Sequence, residues 1–190
     1  MKPLLFAAAL ALAGTSAYAA PAKYMLDASH SQIVFSYNHI GFSTTYGMFS
    51  GFEGEIMFDA ENPAASSVNV SMPAKSMITG WEKRLGHFMS PDFFDASDDE
   101  MISFTSTSIE VTGDNTATIT GDLTLNDVTK SVVLDAVLNK TGQHPMAGKD
   151  WAGFDATTTL LRSDYGLGAF APAISDEVKV MISIEAAKAE

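Results

Sequence analysis

The side chains of this chain that could do chemistry are few and scattered. Its four histidines, at positions 30, 39, 87 and 144, form no H-E-x-x-H pair, and the chain has no cysteine, so we predict no metal site. No serine lies in a G-x-S-x-G motif, and the aspartates of residues 95–100 lack the spacing and central glycine of a calcium loop. We therefore predict no catalytic residue and expect that the protein is not an enzyme.

The remaining polar candidates border apolar stretches. His30 starts the first long strand and is expected to fix a turn or strand end by hydrogen bonding. His39 ends an inward-facing series, where it is either structural or in contact with a ligand head group at the barrel mouth. Arg84 and Arg162 either form ion pairs, Arg162 with the nearby Asp164, or bind a quinone carbonyl or a pyrophosphate.

Strands must position these residues, because apolar and polar residues alternate with period two along most of the chain. "MISFTSTSIEV" changes phase between Phe104 and Ile109, which predicts a bulge. Gly113 to Asn115 and Asn126-Asp127 look like hairpin turns. The residues on one face of each run are Ile33, Phe35, Tyr37, His39; Phe52, Ile56, Phe58; Val68, Val70, Met72; Ala117, Ile119, Leu123, Leu125; Val132, Leu134, Ala136, Leu138; Phe154, Ala156, Thr158, Leu160; and Val178, Val180, Ile182, Ile184.

The pattern predicts an all-β fold of about eight antiparallel strands. Ser31–His39, Tyr46–Asp59 and Val128–Thr141 are long for strands, and glycines interrupt several runs at positions 47, 51, 54, 121 and 153. Such glycines permit the coiling that closes a sheet, which favours a barrel over a sandwich. An eight-stranded barrel is either filled by its own side chains or holds one small ligand, and the pattern leaves both open.

One segment breaks the alternation. "SMITGWEKRLGHFMSPDFFD", Ser76 to Asp95, places Ile78, Trp81, Leu85 and Phe88 at helical spacing, with Phe93 and Phe94 after Pro91. That much apolar surface must be buried, and Trp81 with it. The segment either plugs one end of the barrel as core or caps a cavity whose contents are not protein.

The composition and the N-terminal residues indicate the cellular compartment and argue against some classes of binding partner. Met1-Lys2, an apolar run from Leu4 to Gly14 and an A-x-A pattern at Ala17 and Ala19 predict a signal peptide at residues 1–19, followed by one domain at 20–190. The absence of cysteine excludes a lipoprotein anchor, and no later stretch suits membrane insertion, so we expect soluble periplasm. A net charge of −12 argues against nucleic acid and anionic lipid head groups.

The sequence also resembles the YceI family. The blocks that carry the resemblance, in order, are "YMLDASHSQIVFSYNHIGFSTTYGMFSGFEGEIMFD", "HFMSPDFFD", "ISFTSTSIEV", "ITGDLTLNDVTKSVVL" and "GFDATTTLLRSDYGLG". They extend from Tyr24 to Ile184. One departure lies before the Phe-Phe block, where the family usually has Arg-Asp-x-His and this chain has Arg84-Leu85-Gly86-His87, so the aspartate of that turn is absent here.

The resemblance implies a periplasmic, eight-stranded, lipocalin-like antiparallel barrel with a short helical insertion capping one end. It further implies an apolar tunnel that holds a long isoprenoid lipid of quinone or polyprenyl type, carried or sequestered, with no other cofactor. A homodimer and a redox partner in the membrane stay open. The predicted ligand-binding residues are Phe35, Tyr37, His39, Phe49, Ile78, Trp81, Arg84, Leu85, His87, Phe88, Phe93, Phe94, Phe104, Leu123, Leu134, Phe154 and Arg162.

Two alternatives belong to other functional classes. An enzyme acting on a lipid-like substrate would use Arg84, His87 or His39 and would need a titratable cluster in the cavity. A structural or interaction module, for example one that recognises sugars, would expose Trp81 and Trp151 on a groove.

Overall fold

A computed structural model describes residues 20–97 and 100–190. The predicted signal peptide, residues 1–19, lies outside the described residues. The elements are β1 (Ala22–Leu26), β2 (Gln32–His39), β3 (Ser43–Phe49), β4 (Glu53–Phe58), β5 (Ser67–Pro73), α1 (Glu82–Phe88), β6 (Met101–Gly113), β7 (Thr116–Leu125), β8 (Val128–Gln143), β9 (Asp150–Leu161) and β10 (Glu177–Lys188).

These ten strands fill eight positions around a closed antiparallel barrel. β1 pairs with the last residues of β10 and β2 with its first residues, so that β1 and β2 together form one barrel strand. β3 pairs with β2 and β4 with β1, so that β3 and β4 form the next. β5 to β10 follow in chain order, and the pairing of β1 with β10 closes the ring. The predicted eight-stranded barrel is confirmed.

The predicted long strand Tyr46–Asp59 is wrong in one detail, because the structure divides it into β3 and β4 at residues 50–52. Gly51 there has a φ of 71°, a left-handed conformation that does not continue a strand. After this break β4 pairs with β5, whereas β3 makes an isolated bridge from Met48 to Ile78.

The bulge and the hairpin turns follow the sequence prediction. β6 and β7 lose register between Ser106 and Ser108, inside the stretch where the alternation changes phase. Asn126 and Asp127 join β7 to β8 with φ values of 51° and 57°, and Asn115, with a φ of 61°, lies between β6 and β7. Asparagine and aspartate tolerate this left-handed backbone better than most residues, so they fit tight hairpins.

The insertion between β5 and β6 closes one end of the barrel, as predicted. Its helix starts at Glu82 rather than near Ile78, because Ile78 is held extended against β3 and Gly80 has a φ of 72°. Leu85, Phe88, Met89 and Phe94 pack on a core cluster that contains Phe35, Phe49 and Met77. We call this end, with the β2–β3 turn and residues 162–176, the cap end, and the opposite end, with the β6–β7 turn and residues 59–66, the open end.

Among the described residues, no helix has both the length and the apolar character that crossing a membrane requires.

Candidate functional site

The barrel encloses an apolar cavity of about 730 Å³. The inward faces of the strands form its wall, including Ile33, Phe35 and Phe104. Its volume lies in the range of small-molecule binding sites, and the wall has the mostly apolar character of such sites. The barrel is therefore not filled by its own side chains, which decides a question that the alternating pattern left open.

A row of alanines makes room on one part of the barrel wall, close to the β6–β7 turn. Ala117 lies opposite Ala136, and Ala136 opposite Ala156, on the adjacent strands β7, β8 and β9. All three line the cavity. Because inward-facing positions of small barrels are usually filled by side chains, three methyl groups side by side leave space on this part of the wall.

Aromatic rings close the cap end. Phe88, Phe93 and Phe94 of the insertion line the cavity. The ring of Phe88 lies 5.5 Å from that of Phe93 and 6.3 Å from that of Tyr37 on β2. The apolar insertion is thus a cap on a cavity, and the same segment packs on the core beneath it.

Arg162 holds the chain that follows β9 at the cap end. Its guanidinium group donates to the carbonyl oxygens of Leu167, Ala169, Ile174 and Ser175. Burial lowers its pKa, an effect that Asp176 opposes.

The predicted ion pair between Arg162 and Asp164 is replaced by these backbone contacts, and Asp176 instead accepts hydrogen bonds from Ser163. Arg162 lines the cavity, but most of its N–H donors already have partners.

Tyr165 lies next to this clamp and is only 2% exposed. Asn126 donates a hydrogen bond to its backbone carbonyl over 2.8 Å, which ties it to the β7–β8 turn. Its side chain belongs to the cavity wall, yet its hydroxyl has no hydrogen-bond partner among the described residues. Burial raises the pKa of this hydroxyl, so it is a neutral group in an apolar wall.

The opposite end of the cavity opens to solvent. The wall residues that are solvent-exposed all lie at or near the open end: Ala60, Val111, Gly113, Asp114, Asn115, Val137 and Asp155. The wall residues at the cap end, among them Phe93, Leu167 and Ile174, are buried or half-buried. A ligand in the cavity would therefore reach water beside the β6–β7 turn.

The structure brings eleven of the predicted site residues together on the cavity wall. They are Phe35, Tyr37, Phe49, Phe88, Phe93, Phe94, Phe104, Leu123, Leu134, Phe154 and Arg162. Seven of them lie on strands, most on inward faces that the alternation identified, three belong to the aromatic insertion, and Arg162 follows β9. Contact with a ligand stays a prediction for each of them.

Three predicted residues of the insertion lie away from the cavity because they face outward. Trp81 is 57% exposed, so the prediction that it is buried was wrong. Its ring stacks with Arg84, whose guanidinium carbon lies 5.9 Å from the ring centroid, and Arg84 donates to the carbonyl oxygen of Thr79. Ile78 is exposed, and its backbone pairs with that of Met48 along the edge of β3.

The other three predicted site residues lie at the cap end but do not line the cavity. Leu85 packs on the core cluster below the helix. The ring of His87 lies 5.0 Å from that of Phe93, on the solvent side, and its Nε2 is 3.5 Å from a carboxylate oxygen of Asp92. His39 forms a backbone bridge with Ile174 at the cap end and does not line the cavity, which favours the structural alternative for this residue.

Sequence reasoning missed several wall residues. Ala117, Ala136 and Ala156 belonged to the predicted inward faces, but a small side chain gives no signal of a void beside it. Tyr165 ends a 3₁₀ turn after β9 and Leu167 lies just beyond it, where no periodicity identifies the buried side.

A second group of polar side chains joins β1, β2 and β10 outside the cavity wall. Asp27, His30 and Glu185 place one potential metal-ligand atom each within 4.8 Å of the others. His30 Nδ1 lies 2.6 Å from Asp27 Oδ2, and Glu185 accepts a hydrogen bond from the indole of Trp151. Each therefore already has a protein partner, and His30 fixes the turn before β2 as predicted. Trp151 also packs on His144, with ring centroids 4.8 Å apart, and is half-buried.

Comparisons with known proteins agree with this geometry. Residues 24–186 match the model of the YceI-like domain. Protein YceI of Escherichia coli O17:K52:H18 (strain UMN026 / ExPEC) is 40% identical over 182 residues, which cover 96% of this chain and 94% of that protein.

Two solved structures have the same fold. BcnA of Burkholderia cenocepacia superposes with a TM-score of 0.76 at 21% identity, over 84% of this chain and 98% of that chain. A polyisoprenoid binding domain from Saccharophagus degradans, implicated in plant cell wall breakdown, superposes with a TM-score of 0.67 at 15% identity, over 87% of this chain and 98% of that chain. At these identities the likeness establishes the barrel fold.

Proposed function

The chain belongs to the YceI-like domain family, and from that membership and the geometry of the cavity we propose that it binds a long-chain isoprenoid lipid inside the barrel. The observation that carries the proposal is the continuous apolar wall, closed by aromatic rings at one end and open at the other. A family fold also found in a polyisoprenoid binding domain supports this ligand class.

The binding energy can come from the tail alone. Each methylene group transferred from water into an apolar site contributes about 0.8 kcal/mol. Ten tail carbons would contribute about 8 kcal/mol, which corresponds to roughly micromolar affinity before the costs of ordering are subtracted. A prenyl chain with several units has more carbons than this, so a charged anchor is not required.

We further propose that the protein is exported to the periplasm and carries or sequesters a quinone or polyprenyl lipid there. A protein with an enclosed apolar cavity can shield such a chain from water between membranes. A homodimer and a redox partner in the membrane stay predictions, and no cofactor besides the bound lipid is part of the proposal.

The alternatives have weaker support. Arg84, His87 and His39, which an enzyme was expected to use, all lie off the cavity wall. The two tryptophans of the proposed sugar-binding groove differ in exposure, since Trp81 is exposed whereas Trp151 is half-buried and bonded to Glu185.

The alanine row provides the test. In Ala136→Phe, a benzyl group would project into the cavity, whereas in Val133→Phe it would project outward from the same strand, because Val133 is exposed. Each protein is purified from periplasm without detergent, extracted with organic solvent and examined by mass spectrometry. Wild type and Val133→Phe should release an isoprenoid lipid in near-equal amounts, and Ala136→Phe should release far less while keeping its β-sheet circular dichroism spectrum. A wild-type protein that carries no lipid and takes up none, or equal loading of all three, contradicts the proposal.

A further inference from the structure

Two turns at the cap end expose apolar side chains to solvent. Phe42, in the β2–β3 turn, is 89% exposed, and Ile40 and Phe170 are each more than half exposed. The turns are joined, since the Ile40 amide donates to the Ala173 carbonyl over 3.0 Å and His39 bridges Ile174. We call Ile40, Phe42 and Phe170 the apolar tip.

The backbone at this tip is unfavourable for the residues that occupy it. Ile40 has a φ of 56° and Phe170 a φ of 64°. Left-handed backbone is uncommon for any non-glycine residue and an outlier for a β-branched or bulky one, and glycine or asparagine would fit better. Strained positions that persist often mark functional sites, and here both strained side chains are more than half exposed, so internal packing accounts for only part of their size.

The two turns that carry the tip are uncharged, although the protein as a whole is acidic. The chain has a net charge of −12, yet residues 28–52 and 165–175 contain no aspartate, glutamate, lysine or arginine. An uncharged apolar surface avoids the cost of desolvating charged groups when it enters a lipid interface. The acidic remainder would be repelled by anionic head groups, so the charge distribution fits a neutral bilayer surface.

The size of the tip favours a bilayer over a second protein. Three side chains with these exposures offer roughly 400 Å² of apolar surface, which is in the range of a functional patch on a monomer. A stable protein–protein interface buries about 800 Å² on each partner, and somewhat more than half of that area is apolar. The tip would therefore need a polar rim of similar area to form such an interface, whereas shallow insertion into a lipid interface has no minimum area.

The tip is continuous with the cavity. The ring of Phe170 lies 6.1 Å from that of Phe93, and Phe93 belongs to the cavity wall. We propose that the apolar tip docks the protein reversibly on the surface of a neutral phospholipid bilayer, with the aromatic cap facing the membrane. The proposal goes beyond lipid binding in the cavity, because it assigns a surface, a partner and an orientation.

The experiment measures binding to phosphatidylcholine vesicles that contain no isoprenoid lipid. Ile40→Asn with Phe170→Asn removes both exposed side chains and relieves the left-handed backbone, so this variant should unfold at a higher temperature than wild type. Phe42→Ser tests the most exposed ring. Each of these proteins should bind vesicles about tenfold more weakly than wild type in a flotation assay.

The matched control is Met146→Ser. Met146 is 90% exposed in the β8–β9 loop, at the open end, so its loss removes a comparable apolar group without touching the tip. This variant should bind vesicles as wild type does. Adding phosphatidylglycerol to the vesicles should weaken binding of wild type.

Two results would overturn docking by the tip. One is wild-type binding that the tip variants leave unchanged or that Met146→Ser reduces equally, and the other is no binding of wild type to neutral vesicles. Loss of a dimer in the tip variants, without vesicle binding by wild type, would instead assign the surface to a second copy of the chain. Affinity for detergent-dispersed prenyl lipid is measured in parallel. It should not change in Phe42→Ser, so a failure of docking remains distinct from a failure of cavity binding.

Discussion

Asp27 and His30 fasten the corner where β1 ends and β2 begins. The hydrogen bond from His30, together with one from Ser29, holds the pKa of Asp27 at about 2, below its ordinary value of 3.8. The same bond and the charge of Asp27 raise the pKa of His30 above its ordinary value of 6.5. The two shifts have opposite directions because the folded state favours the charged form of each partner.

The coupling between these residues should therefore depend on pH. The Asp27 contribution is present above pH 3.8 and is lost as the pH falls toward about 2, whereas the His30 contribution is present below pH 6.5 and is lost as the pH rises through the raised value. In a double-mutant cycle of Asp27→Asn and His30→Gln, the coupling in unfolding free energy should be largest between pH 3.8 and 6.5. A coupling that stays constant from acid to alkaline pH would show that the pair has no ionic character.

Tyr165 places a polar hydroxyl group in the apolar wall of the cavity. Its hydroxyl is inaccessible and has no partner among the described residues. A buried group that loses its hydrogen bonds to water and gains none destabilises the folded state by about 1 to 3 kcal/mol.

Tyr165→Phe should therefore raise the free energy of unfolding of the lipid-free protein by about 1 kcal/mol, as measured by urea denaturation. Tyr46→Phe is the control, since Tyr46 is exposed and its hydroxyl can bond to water in both states. A lower stability of Tyr165→Phe would mean that the hydroxyl has a partner, such as a bound water, in solution.

At the scale of elements, Gly54 lets β4 approach β5. Its φ is 128°, and a Cβ atom added there would overlap the carbonyl oxygen of Asn69 and crowd the backbone of Val70. Both clashes are with backbone atoms, which cannot move aside by rotation as a side chain can. The pairing of these two strands therefore depends on the missing side chain.

Gly54→Ala should lower the free energy of unfolding by about 2 kcal/mol. Gly153→Ala is a matched control in β9, where an added Cβ meets no atom within 4 Å, and it should change stability by no more than about 0.5 kcal/mol. Thermal or urea unfolding of both variants checks the difference. Equal effects of the two substitutions would refute the close approach of β4 and β5.

The insertion shows how an element's sequence pattern can mislead. Its helical spacing predicted that Ile78, Trp81, Leu85 and Phe88 share one buried face. The structure starts the helix only at Glu82, because the chain before it pairs with β3, so Ile78 and Trp81 never join that face. A pairing with a strand 30 residues earlier in the chain overrides the local pattern.

For the whole molecule, a lipid in the cavity should act as part of the core. A ligand that binds only the folded state stabilises it by mass action, by about 2.7 kcal/mol at a concentration one hundred times its dissociation constant. Wild type stripped of lipid by solvent exchange should melt at a lower temperature than loaded protein, and a prenyl alcohol should restore the difference. Ala136→Phe should melt at the same temperature with or without the alcohol. Identical melting of loaded and stripped wild type would contradict a lipid in the cavity.

The sequence by itself determined the barrel and the character of its inner surface. Alternation with period two is a local property, so Phe35, Leu123 and Leu134 could be assigned to the inward side without coordinates. The bulge near Ser106 and the hairpin at Asn126-Asp127 were equally local, because they depend on a phase change and on residues that tolerate left-handed backbone.

Only the tertiary structure decided that the barrel is hollow, which end is open and which residues of the insertion reach the cavity. A void exists where side chains from opposite walls fail to meet, and its size depends on distances between residues far apart in the chain. Ala117, Ala136 and Ala156 look unremarkable one at a time, and they leave space because strand register sets them side by side. Register and closure are long-range properties of the folded sheet, which no short stretch of sequence records.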